Sequence, residues 1–179
     1  MRRPQNGFTL VEAMVSIILL AILAGIAVPA WSRASEAARS GSAQAALGTS
    51  ILVAIGHAAL TGSDVVLCPG DAAGCRPSID WSGGWITYAD IDGDRLRDPN
   101  ETLLRTAPAL GGKVHLRSTP GRTRLVFQPS GGNVGSNVTF TLCDGRGASK
   151  ASTLVLSNDG RLRSGVPTDA AALACATAM

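Results

Sequence analysis

Residues 13–31, AMVSIILLAILAGIAVPAW, carry no charge, and Ser16 supplies their one hydroxyl. A helix needs about 20 such residues to cross the hydrocarbon core of a bilayer. Arg2 and Arg3 precede the run, and positive charge stays on the cytoplasmic side. The chain is therefore expected to leave the cytoplasm in its C-terminal direction. A secretory signal peptide is the competing reading. It would carry a shorter apolar region of about 7–15 residues and a small-residue cleavage site, which Val28-Pro29-Ala30 imitates weakly.

Residues 32–60 are rich in Ala, Ser and Leu, with Gly41, Gly48 and Gly56 as the main breakers. The helix is expected to continue through them, so that residues 8–58 span roughly 75 Å. Pro29 is expected to kink or locally melt it. The second half is expected to lay an apolar face of Leu47, Ile51, Leu52 and Ile55 on a globular domain. After Thr61-Gly62 the pattern changes to period two. Candidate strands are 65–68, 85–91, 103–106, 114–117, 124–127, 138–143 and 153–156, separated by turn signals such as Asp92-Gly93, Pro120-Gly121, Asp144-Gly145 and Asp159-Gly160. The expected class is α+β: one long N-terminal helix packed on antiparallel β-sheets, with only strands after it.

Glu12 stands at the lip of the apolar run. A carboxylate there is costly and needs a partner and a purpose. Residues 7–12 read Gly-Phe-Thr-Leu-Val-Glu, behind a basic leader and ahead of the apolar stretch. This combination resembles the class III signal of type IV pilins and pseudopilins. The resemblance implies a pilin-like fold, cleavage between Gly7 and Phe8 by a prepilin peptidase, and N-methylation of Phe8. It also implies that Glu12 pairs with the terminal amine of a neighbouring subunit during filament assembly. A desolvated carboxylate and a desolvated ammonium are each too costly alone, which agrees with that pairing. The expected organisation is a leader at 1–7, a transmembrane and filament-core helix at 8–31, an amphipathic continuation at 32–60 and an extracytoplasmic β-rich domain at 61–179. The protein is expected in the inner membrane with its C-terminal domain in the periplasm, and then in an extracytoplasmic pilus with other pilin subunits.

The segment Trp85-Ile-Thr-Tyr-Ala-Asp90-Ile-Asp-Gly93-Asp, followed by Asp98, Glu101 and Leu103-Leu104, resembles the FimT/GspH group of minor pilins and minor pseudopilins. The leader does not separate a pilus subunit from a secretion subunit. An extracytoplasmic domain permits disulfides, and four cysteines allow three connectivities. The pairing favoured is Cys68–Cys75 and Cys143–Cys175, the second holding an Ala-rich tail on the domain. Zinc is excluded by spacing, because no C-x2-C pair exists.

Asp90, Asp92, Asp94, Asp98 and Glu101 match positions 1, 3, 5, 9 and 12 of an EF-hand loop. Arg95 stands at position 6, where that loop has Gly, and Arg97 and Pro99 also lie inside. A plain hairpin turn is the preferred reading and weak calcium binding the alternative; no metal and no cofactor are assigned. His57 and His115 show no spacing that would make a triad, and no enzymatic activity is expected. Trp81 and Trp85 flank Ser82-Gly83-Gly84, either as packing or as a platform for a sugar or base.

Residues 111–179 hold eight basic residues and three acids, net +5, an asymmetry that suggests an anionic partner. If Arg161-Leu162-Arg163 runs extended, both arginines share one face, with Cα atoms roughly 6.7 Å apart. That is about twice the rise per phosphate along one DNA strand. The bland alternative is charge protecting a strand edge. Gly160-Arg161-Leu162-Arg163 is similar to the Gly-Arg-x-Arg motif of FimT minor pilins, which bind DNA for natural transformation. The resemblance implies sequence-independent DNA binding through Gly160, Arg161 and Arg163, with Arg146 and Lys150 joining them. The other reading is a structural subunit that primes a pilus or a type II secretion pseudopilus without touching DNA.

Overall fold

A computed structural model describes residues 8–177. Met1–Gly7, which include the expected residue before the cut, lie outside them. The first helix, α1, spans Leu10–Thr61. Its start is written locally. Thr9 Oγ1 accepts from the Glu12 amide at 3.3 Å, and Glu12 Oε2 accepts from the Thr9 amide and hydroxyl at 3.3 and 3.2 Å. This is a reciprocal capping box. Its end is a left-handed glycine: Gly62 has φ +73° and donates to the Ala58 carbonyl at 3.0 Å. The helix runs through Pro29 without local melting. Proline removes one intrahelical donor, and the ladder on either side persists.

Residues up to Ser35 and residues from Glu36 onward form two compact units. In the first, every side chain from Phe8 to Ala34 is exposed, including Leu10, Ile17, Leu20, Leu23, Ile26 and Trp31. This stretch is long and apolar enough to cross a membrane.

In the second unit, α1 buries Ser40, Ala43, Leu47, Ser50, Ile51, Ala54 and Ala58, a stripe at helical spacing. Leu52 does not belong to it, contrary to expectation. It is 66% exposed, because it stands about 100° around the helix from Ile51. Ala43, Ala54 and Ala58 fill much of the buried face instead. Ile55 is half-buried against the core.

Two antiparallel sheets complete this core. In the first, β1 (Asp64–Asp71) pairs with β3 (Trp85–Asp90) on one side, and β3 with β4 (Leu103–Ala107). On its other side β1 pairs with β2 (Gly74–Cys75) and β6 (Leu125–Phe127). The second has the order β5 (His115–Ser118), β7 (Val138–Cys143), β8 (Ser152–Leu156), β9 (Leu162–Gly165). Alternation along β1 serves two clusters. Val65 and Leu67 join the main core with Leu47 and Ile51, whereas Val66 and Cys68 meet Ile86, Tyr88 and Val126. Trp85 Nε1 donates to Ser50 Oγ at 3.0 Å, joining sheet to helix inside the core.

The tail is helical, so the expectation of strands alone after α1 is corrected. α2 spans Asp169–Ala176, and Thr168 Oγ1 caps it by accepting from the Ala171 amide. The cysteines pair as Cys68–Cys75 and Cys143–Cys175, the second with Cα atoms 6.0 Å apart. That bond fixes α2 to the end of β7, where Ala172 and Cys175 are buried with Cys143 and Ala151.

Candidate functional site

The N-terminal site consists of Phe8, the first described residue, and Glu12. Both side chains are exposed, and Glu12 is engaged with Thr9 as described. The Thr-x-x-Glu signature of that cap is visible in residues 9–12, although reading Glu12 only as a charge at a membrane lip passes over it.

The second site is the turn from β8 into β9. Gly160 has φ +78°, and a Cβ there would lie 2.7 Å from the Gly131 carbonyl oxygen, so the turn admits glycine alone. The Ser157 amide donates to the Arg161 carbonyl at 2.9 Å, which closes the hairpin. Leu162 then packs on the core, and Ser164 Oγ accepts from Gln44 Nε2 at 3.0 Å. These two inward residues turn Arg163 to the opposite, exposed face, opposite Val155 in register. β9 is an edge strand. The Arg161 side chain is 77% exposed and its Nε lies 3.0 Å from Asp159 Oδ2. The Ser157 hydroxyl, then the Asp159 amide and Arg161, hold the Asp159 carboxyl below its ordinary value. Such a solvated pair adds little to stability, so Arg161 is readily exchanged to another anion. Among the described residues no ion pair engages Arg163 or Lys150, and both are exposed.

Arg146 behaves differently from expectation. Its Nε donates to Asp144 Oδ1 at 2.9 Å and its Nη2 to Oδ2 at 2.7 Å. Asp144 is fully buried. Burial pushes its carboxyl up, but the hydrogen bonds from the Arg146 side chain and amide outweigh this and hold it below its ordinary value. A buried carboxylate stripped of its partner is strongly destabilising. Arg146 is thus engaged by Asp144, whereas Arg161 and Arg163 are exposed.

The loop between β3 and β4 gathers acids. Asp90 Oδ1 accepts from the Gly93 and Arg95 amides at 3.0 and 3.4 Å. Asp92 and Asp94 accept from the amides of Asp94 and Leu96. Glu101 Oε1 and Oε2 accept from the Ile91 and Asp98 amides, each at 3.0 Å. Burial raises the Asp90 carboxyl above its ordinary value despite the two amides, and Glu101 and Asp92 add to the rise. Trp81 and Trp85 are fully buried. Trp81 stands edge-on to Phe140 with ring centroids 5.0 Å apart, so neither ring is a surface platform.

None of the curated protein sequences matches this chain. Among solved structures, the chain is similar to the type IV minor pilin FimU of Pseudomonas aeruginosa in two crystal forms. One superposes with a TM-score of 0.56 at 14% identity, over 78% of this chain and 92% of that one. The other gives 0.52 at 15% identity, over 74% and 93%. At this identity the likeness shows the fold: a long apolar N-terminal helix packed on antiparallel sheets. Residues 2–28 match the prokaryotic N-terminal methylation motif. An apolar N-terminal helix with that motif is typical of inner-membrane prepilins, which meet prepilin peptidase and assemble with other pilins. Residues 43–160 match the model of type II transport protein GspH; Arg161 and Arg163 follow the matched span. With more than half of its length inside that match, the chain belongs to the GspH family of type II transport proteins, which are non-enzymatic pseudopilins.

Proposed function

We propose that this chain is a minor structural subunit that is cut between Gly7 and Phe8, held in the inner membrane by α1, and then drawn into a filament through the same helix. The observation that carries this reading is the run from Phe8 to Ala34, exposed along its whole length and apolar through most of it. Contiguous exposed apolar surface of that extent marks a partner, here lipid first and other helices afterwards. Glu12 has a role in the exchange. Its capping bonds to Thr9 are long, at 3.2–3.3 Å, and a neighbouring subunit's terminal ammonium offers a stronger charge-assisted partner. In cells, Glu12→Ala is expected to reach the membrane at wild-type levels and to be at least tenfold depleted from sheared filaments. Normal incorporation would remove that role.

A second reading is favoured by one observation, the exposed arginines at the start of β9, Arg161 in the turn and Arg163 on the strand. It makes the subunit of the FimT kind, which captures DNA for natural transformation. Arg163 is without an ion pair among the described residues and Arg161 is held only by a solvated one, and phosphate oxygens suit the planar fork of each. Contact of this type reads no base sequence. A gel shift of the full chain in nonionic detergent with random-sequence DNA tests it. Arg161→Gln with Arg163→Gln is expected to weaken binding and to flatten the log–log salt slope by up to about 1.8. Lys150→Gln is expected to weaken it less. Wild-type-like binding by the double variant at about 0.15 M salt moves the site elsewhere; no binding by the wild type at low salt leaves the structural subunit alone.

A further inference from the structure

We propose that the β3–β4 loop binds one calcium ion through the carboxylates of Asp90, Asp92 and Asp94. One carboxylate oxygen from each of the three lies within 4.8 Å of the others. Acids on a surface loop gather without any ligand, so their proximity alone assigns nothing. The distinguishing observation is Asp90. Its side chain is part of this group, yet the residue is only 2% exposed. Oδ1 takes both amides of the turn, while Oδ2 is buried with no hydrogen-bond partner among the described residues. A buried, unpartnered carboxylate oxygen is strongly unfavourable unless something compensates it. A hard cation does so directly, and the two exposed carboxylates beside it supply the further oxygen ligands that calcium prefers.

The departure from the calcium-loop pattern at position 6 does not break the turn. Arg95 adopts the left-handed conformation, φ +63°, alone among the described non-glycine residues, and its carbonyl is tied down by Arg124 Nη1 at 2.8 Å. The side chain that glycine would lack is exposed. Both oxygens of Glu101, at position 12, already accept amide hydrogens. The site therefore rests on three carboxylates completed by water and main-chain oxygen, and it falls in the weak class of extracellular modules, with Kd about 10⁻⁴–10⁻³ M. This inference is independent of filament assembly and of DNA.

Calorimetric titration of the full chain in nonionic detergent with calcium chloride tests it, alongside thermal melts. One saturable site per chain is expected, with Tm raised by about 5–10 °C at a 100-fold excess over Kd. Asp90→Asn is expected to abolish binding. Should that variant fail to fold, Asp92→Asn with Asp94→Asn alters only exposed side chains, and it is expected to lower affinity at least tenfold with the calcium-free Tm unchanged. Absence of saturable heat in the wild type up to about 10 mM calcium, or unchanged affinity in the double variant, overturns the site. Magnesium binding as tightly as calcium overturns the choice of ion.

Discussion

The tripeptide Asp-Gly-Arg occurs twice, at 144–146 and at 159–161, and the two copies do opposite things. Both place an arginine two residues after an aspartate in a turn. At 144–146 the aspartate leaves β7 inside the domain, is fully buried, and takes two hydrogen bonds from the guanidinium. At 159–161 the turn is in water, and a single Nε contact joins two exposed side chains. A fork on a buried carboxylate is structure; a solvated contact leaves the arginine available. Burial of the aspartate therefore decides which arginine is free to bind, and local sequence does not.

The contrast is broken most severely at the buried copy. Arg146→Gln strands Asp144 and is expected to cost about 3–5 kcal/mol, a fall in Tm of about 6–20 °C in circular-dichroism melts. Next is the bond beside it. Replacing Cys143 and Cys175 by Ser is expected to cost about 3–4 kcal/mol by chain entropy, with hydrogen exchange showing α2 losing protection before β7 and β8. Acid sharpens the comparison further. The folded Asp144 carboxyl lies below its ordinary value. Its contribution is therefore complete above the unfolded value of about 3.9 and is lost as pH falls through the lower folded value. The stability gap between wild type and Arg146→Gln is expected to narrow as pH drops below about 4 in denaturant titrations. The smallest effect belongs to the exposed copy: Arg161→Gln with Arg163→Gln is expected to shift stability by less than about 0.5 kcal/mol. A loss as large as that of Arg146→Gln would erase the distinction.

The same physics explains what could be read before any fold was seen. An uncharged run behind Arg2 and Arg3, with Glu12 at its lip, is visible because a bilayer tolerates no other composition. Strands such as Val138–Cys143 are visible because apolar residues recur along them at period two, Val138, Phe140 and Leu142 between Thr139 and Thr141. The packing face of α1 was less legible. Leu52 is more hydrophobic than Ala54 and Ala58, yet the alanines are buried and Leu52 is not, since position around the helix outranks side-chain size. The tail helix was hidden in an Ala-rich segment whose signal was the Thr168 cap. The fork of Arg146 on Asp144 is not legible, because the burial of Asp144 is tertiary information. Arg161 in the β8–β9 turn and Arg163 on β9 are the part of the site that sequence pattern proposes and geometry leaves exposed.

All of these roles assume a chain that is processed and assembled as a filament subunit. Intact-mass and N-terminal peptide spectrometry of protein recovered from sheared filaments tests this most directly. A mature chain that begins at N-methylated Phe8 is expected, with residues 1–7 removed and both disulfides intact. Recovery of a chain that retains Met1, or one cut near Ala30, would contradict it.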